Sequence, residues 1–268
     1  MIVTVDGETV HAATGGVQPG TDRPVVVLIH GAGHDGTIWQ LQTRYLAYRG
    51  IQALAIDLPG HGKSGGSPLG SIESMAAWLE RFALVAQLGP FHLAGHSMGS
   101  MVALEFASKF PDIALSLTLC GTAATMPVHP ALIESAADDI PAAGALMAAW
   151  GHGRAAHTGL NPTPGLWMLG GAQALVERSV PGVLSADFGA CVAYENAERA
   201  ARSVRCPTTV VIGLEDKMTP PSGGRLIASW LPNSRVCELR ATGHTMMTEN
   251  PRAIRAEILR SASGMILS

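Results

Sequence analysis

Phe91-His-Leu-Ala-Gly-His-Ser-Met-Gly-Ser100 is the most informative stretch of this 268-residue sequence. It begins with a short apolar run, contains Gly-x-Ser-x-Gly, and continues into residues 98–110, whose apolar side chains recur at helical spacing. The pattern predicts a strand, a tight turn and a helix, with Ser97 at the tip of the turn.

Two glycines flank this serine for a physical reason. A backbone that holds Ser97 out at the end of the strand is strained, and the residues two before and two after it come close enough for side chains to collide. Gly95 and Gly99 remove that collision. The helix that follows directs free backbone N–H groups and a partial positive charge at any anion that forms beside Oγ. Ser97 is therefore a candidate nucleophile, and the Met98 amide is a candidate oxyanion donor.

Composition and charge limit the class of protein. Apolar residues make up 47% of the chain, which allows a large core, and the net charge is −3 with only three lysines. Because no basic block could contact a phosphate backbone, we expect no nucleic-acid partner. The first ten residues lack the pattern of a signal peptide and no segment has the length of a membrane helix, so we expect a cytoplasmic protein without a membrane partner. Four widely spaced cysteines predict reduced, mostly buried thiols rather than a zinc site or disulfides.

Strands and helices alternate along most of the chain, which is typical of an α/β fold with a parallel sheet. After an N-terminal hairpin, strands are predicted at 24–30, 52–56, 113–119, 208–212 and 235–239, besides the one that ends at Ser97. Residues 124–200 interrupt this alternation with short helical pieces and no strand of the earlier kind. We therefore predict a core formed by residues 1–123 and 201–268, and an inserted helical cap at 124–200.

Two other glycine-rich motifs suggest different functions. Gly31-x-Gly33-x-x-Gly36 follows a strand and precedes Asp57 by about 20 residues, as in a dinucleotide-binding turn. This interpretation predicts a nicotinamide-dependent oxidoreductase but gives Ser97 no role. Asp57-Leu-Pro-Gly-His-Gly-Lys-Ser64 resembles a phosphate-binding P-loop, except that Asp57 replaces the first glycine and would repel phosphates.

A serine nucleophile needs a base, and the base needs a carboxylate that fixes its tautomer. Among ten histidines, His244 lies directly after the last predicted strand, at the sheet edge where active-site loops gather. Glu215 and Asp216 both follow the strand at 208–212, and Asp216 is preferred because its shorter side chain is easier to hold rigid. The order Ser97, Asp216, His244 is the one that accompanies this kind of serine turn.

The second oxyanion donor is expected in the loop after the strand that ends at His30. The Ala32 amide is the first choice and the Gly33 amide the second, because small residues let the main chain approach the substrate. His30 and His34, like His152 and His157, lack the helix context and third ligand of a zinc site. We interpret these four histidines as structural or solvent-facing.

Five motifs taken together, in this order, resemble the α/β-hydrolase superfamily over essentially the whole chain: His30-Gly-Ala-Gly33, Asp57-Leu-Pro-Gly-His-Gly-Lys-Ser64, Gly95-His-Ser-Met-Gly99, Gly213-Leu-Glu-Asp216 and Gly243-His244. The resemblance implies an eight-stranded, mostly parallel sheet with a helical cap between the sixth and seventh strands. It also implies a catalytic triad and oxyanion hole made by the residues singled out above: Ser97, Asp216 and His244, with the Ala32 and Met98 amides. Within the superfamily, Gly-His-Ser-Met-Gly with a compact cap looks most like small carboxylesterases and lactonases.

These observations together predict a serine hydrolase that cleaves a small, neutral ester or lactone through an acyl-enzyme, without a metal or organic cofactor. Seven acidic residues against three arginines in 124–200 favour a neutral substrate, as do the apolar side chains Met126, Met147, Trp150, Trp167 and Met168. Three alternatives stay open: a carbon–carbon bond hydrolase or lyase on the same triad, the nicotinamide enzyme, and a non-catalytic receptor. The oligomeric state is left open as well.

Overall fold

An eight-stranded sheet organises the structure, a computed structural model that describes residues 1–17, 20, 23–160 and 165–263. Its strands are β1 (Ile2–Val5), β2 (Glu8–Ala13), β3 (Val25–Ile29), β4 (Gln52–Ile56), β5 (Phe91–His96), β6 (Ala114–Cys120), β7 (Thr208–Gly213) and β8 (Ser234–Leu239). They lie in the order β1-β2-β4-β3-β5-β6-β7-β8. The β1–β2 and β2–β4 pairs are antiparallel, and the other pairs are parallel. The predicted eight-stranded, mostly parallel sheet is confirmed.

Helices cover both faces of this sheet. They are α1 (Gln40–Ala47), α2 (Ile72–Val85), α3 (Met98–Lys109), α4 (Pro130–Asp138), α5 (Ile140–Gly151), α6 (Arg154–His157), α7 (Met168–Glu177), α8 (Val183–Ala193), α9 (Ala197–Ser203), α10 (Pro221–Trp230), α11 (Met246–Glu249) and α12 (Pro251–Ala262), with a short 3₁₀ helix at Gly36–Trp39. The segment from α4 to α9 lies between β6 and β7, and its described residues include no strand. Within the described ranges, no helix has both the length and the apolar character needed to cross a bilayer.

The central strands form where the sequence is apolar on both faces. In β3 the run Val-Val-Val-Leu-Ile is almost wholly buried, as expected for a parallel strand covered by helices on both sides. One buried cluster joins the sheet to α2 and α3, and a second joins its other face to α1 and α12. Capping side chains fix where several helices begin, for example Ser71 before α2 and Asn250 before α12. All four cysteines are free thiols; Cys237 is half-buried and the other three are buried.

The turn between β5 and α3 is the tightest point of the fold. Ser97 has φ 53° and ψ −120°, an unfavourable conformation for a residue with a side chain. A Cβ on Gly95 would overlap the backbone of Gly99, and a Cβ on Gly99 would overlap the carbonyl oxygen of His30. The beginning of α3 therefore lies directly against the ends of β3 and β5, and only glycine permits this distance.

We expect Gly99→Ala to destabilise the protein strongly, because its methyl group would meet the backbone of β3, which cannot rotate away. The cost should be at least ~2 kcal/mol in free energy of unfolding, at the upper end for overpacked sites, measured by urea denaturation. Gly89→Ala is the matched control, because nothing lies within 4 Å of an added Cβ there. Equal stability of the two variants would contradict the close contact described above.

Candidate active site

A cavity of about 350 Å³ lies at the carboxyl end of the parallel strands. Its wall includes Ala32 from the loop after β3, Ser97 from the turn after β5, and His244 from the loop after β8. The structure therefore brings three of the five predicted site residues to one cavity. The other two, Met98 and Asp216, are buried beside them and contact the serine turn and His244 respectively.

His244 is oriented by a carboxylate that is itself held rigidly. His244 Nδ1 lies 2.8 Å from Asp216 Oδ2, and both side chains are buried. The other oxygen of Asp216 accepts hydrogen bonds from the backbone N–H groups of Met218 at 2.9 Å and Thr219 at 2.8 Å. The Thr219 hydroxyl donates to Asp216 Oδ2 at 2.7 Å. Because the carboxylate of Asp216 is held on all these sides, it accepts a hydrogen bond from Nδ1–H of His244. The Nδ1 proton stays on the ring, and Nε2 is the basic nitrogen.

The ionised form of Asp216 is favoured in this environment. Burial raises the pKa of the carboxyl group. The charge and hydrogen bond of His244 and the hydrogen bonds from Thr219 together lower that pKa by more than burial raises it. The resulting pKa lies below the usual value. Glu215, the other acid on this loop, instead accepts a hydrogen bond from the Arg154 backbone N–H at 2.7 Å.

The two predicted oxyanion donors come from different parts of the chain: Met98 follows the serine directly, and Ala32 lies in the loop after β3. Met98 is the first residue of α3, so its N–H belongs to the unpaired first turn of that helix. The Ala32 N–H donates to no residue within the part of the chain that the structure describes. In contrast, the Gly33 N–H donates to Asp187 Oδ2 at 2.8 Å. Of the two candidates in this loop, only Ala32 therefore has an N–H that no described side chain binds.

Two further histidines lie beside His244 and the cavity. His96 Nε2 donates to the carbonyl oxygen of His244 at 3.0 Å, so it supports the loop that carries the base. His34 stacks on His96 at 6.1 Å between ring centroids and lines the cavity. Burial and, second, the nearby His244 lower the pKa of His34 to about 4, so its ring is neutral at pH 7.

The interpretation of four histidines as structural or solvent-facing therefore needs a correction at His34, which faces the candidate site. His30 is structural: its Nδ1 donates to the Gly31 carbonyl and its Nε2 accepts from the Leu58 N–H. His152 is buried and bonded to the Ala148 carbonyl, and His157 is exposed. His34 lies only two residues after Ala32, the predicted oxyanion donor. This place in the sequence could have indicated that His34 faces the site.

The segment between β6 and β7 supplies the apolar side of the cavity. Its lining side chains from this segment include Met126, Leu132, Met147, Trp150, Phe188 and Cys191. Three of the five apolar residues expected from the sequence are among them. Trp167, which is 78% exposed, and Met168 do not line this cavity.

Asp57 shows why both competing glycine motifs are structural. Its Oδ1 accepts a hydrogen bond from the Gly36 N–H at 2.7 Å, and its Oδ2 accepts from the Lys63 N–H at 3.0 Å and contacts His11 Nδ1 at 2.9 Å. Asp57 thus ties together the two loops that resembled nucleotide-binding motifs. Both carboxylate oxygens of Asp57 are bonded to groups of the protein and are not free to bind the hydroxyl groups of a ribose. Among the described residues, no group of three or more His, Cys, Asp and Glu side chains could hold a metal ion.

The mostly parallel sheet, with a serine at the sharp turn after a central strand, is the fold of an α/β hydrolase. The sequence model of the Alpha/beta hydrolase family matches residues 26–257, and the chain belongs to this family.

Known proteins are similar over most of the chain. A pimeloyl-[acyl-carrier protein] methyl ester esterase of Aromatoleum aromaticum is 28% identical over 257 residues, which covers 86% of this chain and 94% of that protein. RutD of Klebsiella pneumoniae, a proposed carbamate hydrolase, is 25% identical over 240 residues, which covers 84% of this chain and 86% of that protein. The crystal structure of the enol-lactonase from Burkholderia xenovorans LB400 has a TM-score of 0.87 at 21% identity, with 98% of this chain and 100% of that chain covered.

We expect the stability contributed by Asp216 to depend on pH. Because the pKa of its carboxyl group is lower in the folded protein than the usual 3.8, the ionised group stabilises the fold above that value. The stabilisation is lost as the pH falls through the folded-state pKa. Asp216→Asn cannot ionise, so its deficit in free energy of unfolding should be smaller at about pH 3 than at about pH 5, as measured by urea denaturation at the two pH values.

Asp112→Asn removes an exposed carboxyl group and serves as the control, with a small deficit at every pH. A deficit of Asp216→Asn that grew between about pH 5 and about pH 3 would mean that the folded site prefers the neutral carboxyl group.

Proposed function

We propose that this protein is a serine hydrolase that cleaves a small, uncharged carboxylic ester or lactone through an acyl-enzyme. The observation that carries the proposal is the 2.8 Å contact between His244 Nδ1 and the immobilised Asp216, on the cavity wall that also contains Ser97. An imidazole whose Nδ1 proton is fixed in this way presents Nε2 as a base toward the cavity. Ser97, at a strained turn before a helix, is the hydroxyl that such a base would activate.

The proposed reaction has two steps, acylation and deacylation, which use the same protein groups. Ser97 Oγ attacks the ester carbonyl while His244 Nε2 takes the hydroxyl proton, and the Met98 and Ala32 N–H groups donate to the oxyanion. The tetrahedral intermediate collapses when His244 returns the proton to the leaving alcohol. Water then attacks the acyl-enzyme with His244 as base, which releases the acid and restores Ser97.

Size and polarity of the cavity support a small, neutral substrate. A volume of about 350 Å³ is at the low end for ligand pockets. The side that residues 124–200 contribute is apolar except for His129, and we propose that this segment is a cap that encloses the substrate. The names of the two relatives that cover most of the chain, an ester hydrolase and a proposed carbamate hydrolase, describe attack at a carbonyl that bears a leaving group.

Substitution of the triad tests the mechanism. Ser97→Ala should reduce hydrolysis of p-nitrophenyl butyrate to the background rate, and Asp216→Asn should lower kcat by ~10⁴ because the imidazole adopts the wrong tautomer. Ser229→Ala, which removes an exposed hydroxyl on α10, is the control and should keep full activity. Normal turnover by Ser97→Ala would reject the mechanism. A wild-type enzyme that ignores this ester, but whose Ser97 reacts with a fluorophosphonate probe, would favour the carbon–carbon bond hydrolase instead.

Chain length of the acyl group tests the proposed substrate size. We expect kcat/KM to be highest for p-nitrophenyl acetate or butyrate and to fall by at least about 10-fold for the octanoate and further for the palmitate, because a long chain exceeds the cavity. Trp150→Ala widens the cavity and should shift the optimum toward the octanoate. A wild-type optimum at the palmitate would contradict a small substrate.

A further inference from the structure

His61 is buried and bonded at both ring nitrogens, although the proposed reaction does not use it. It lies in the loop after β4, within the motif that resembled a P-loop, and it is 3% exposed. Its Nδ1 lies 2.9 Å from the Pro59 carbonyl oxygen, and its Nε2 lies 2.9 Å from Asp187 Oδ2. A carbonyl and a carboxylate can only accept, so both ring nitrogens donate. A ring that donates from both nitrogens is an imidazolium.

Asp187 joins this imidazolium to the loop that carries Ala32. The side chain comes from α8 and is fully buried. Its Oδ2 accepts from His61 and also from the Gly33 N–H at 2.8 Å, while Oδ1 has no partner among the described residues. Leu184, one turn earlier on α8, fills the space where a side chain on Gly33 would lie, since a Cβ there would be 2.6 Å from Leu184 Cδ1. Helix α8 thus packs directly on the peptide next to Ala32.

The charges around this contact favour an ion pair. Burial lowers the pKa of His61, but the hydrogen bond and charge of Asp187 and the backbone carbonyl of Pro59 raise it above the usual value. The His30 ring, 4.7 Å away, is neutral, because its Nε2 accepts from Leu58 and burial lowers its pKa to about 3. Asp35 is paired with Arg178. Asp187 is therefore the carboxylate that balances the charge of His61.

We propose that His61 and Asp187 are positioning residues whose buried ion pair fixes the Gly33 peptide and thereby directs the Ala32 N–H at the oxyanion. The same helix, α8, supplies Phe188 and Cys191 to the cavity wall. A displacement of α8 would therefore move the substrate pocket and the oxyanion loop together. This inference rests on the proposed acyl-enzyme mechanism and adds two residues that act through Ala32.

Asp187→Asn removes the negative charge of this side chain and keeps its size and shape. A neutral His61 that still donates to Pro59 through Nδ1 has only an acceptor at Nε2. The amide atom that replaces Asp187 Oδ2 can therefore accept from Gly33 as an oxygen or donate to His61 as a nitrogen, but it cannot do both. The variant should therefore loosen the Gly33 peptide and leave the cavity lined by the same side chains.

We expect Asp187→Asn to lower kcat for p-nitrophenyl butyrate by at least about 10-fold, toward the ~10²–10³ that one oxyanion donor is worth. KM should change less than about 3-fold, because the loss is in the transition state. His61→Asn should have a similar effect, and the double variant should lose no more than either single one, since both break the same pair. Asp138→Asn on α4, an exposed carboxyl group of the same segment, is the control and should match the wild type.

A second measurement does not depend on activity or on the folding of a variant. In wild-type protein labelled with ¹⁵N-histidine, the His61 ring should show two protonated nitrogens at pH 7 by NMR. A singly protonated His61 ring, or a folded Asp187→Asn variant with wild-type kcat, would overturn the inference. Absence of any Ser97-dependent ester hydrolysis in the wild type would instead reject the proposed function, and the NMR result would still decide whether the ion pair exists.

Discussion

The contact between the beginning of α3 and the ends of β3 and β5 is the constraint on which the site depends. Gly95 and Gly99 allow this contact, and Ser97 between them adopts φ 53° because the chain must leave a strand and enter a helix without an intervening loop. The conformation is costly for a serine and is maintained by the packing of the surrounding sheet. Its result is a hydroxyl that projects beyond the strand ends, next to the first N–H groups of a helix.

The other residues of the candidate site come from loops that are bound on several sides. Asp216 accepts from Met218, Thr219 and His244, and His96 supports the carbonyl of His244. A site of this kind is preorganised, because its dipoles and hydrogen bonds are in place before the substrate arrives. The geometry thus agrees with a reaction in which charge develops on a carbonyl oxygen.

Buried carboxylates connect residues 124–200 to the loops of the site. Asp187 binds the Gly33 N–H, and Glu249 accepts from the Gly153 N–H at 2.8 Å and the Gly243 N–H at 3.0 Å. Gly243 directly precedes His244, so buried carboxylates join the inserted segment to the loops of both Ala32 and His244. The inserted helices therefore support the loops of the candidate site and also form its apolar wall.

Sequence alone predicted the parts of this arrangement that local chain geometry determines. The serine turn follows from glycine spacing, and the choice of Asp216 over Glu215 as the group that contacts His244 followed from side-chain length. The contacts of Asp187 could not be predicted, because its partners His61 and Gly33 are 126 and 154 residues away. The lining of the cavity could not be predicted residue by residue either, because a helix such as α5 is apolar around most of its circumference and its sequence does not show which face lines the cavity.

A crystal structure of the protein after reaction with a fluorophosphonate tests the central claim most directly, because the phosphonyl group mimics the tetrahedral intermediate. We predict a covalent bond to Ser97 Oγ and a phosphonyl oxygen ~2.7–3.1 Å from the backbone nitrogens of both Ala32 and Met98, with His244 still bonded to Asp216. An adduct on another residue, or a phosphonyl oxygen that lies away from both amides, would contradict this account of the site.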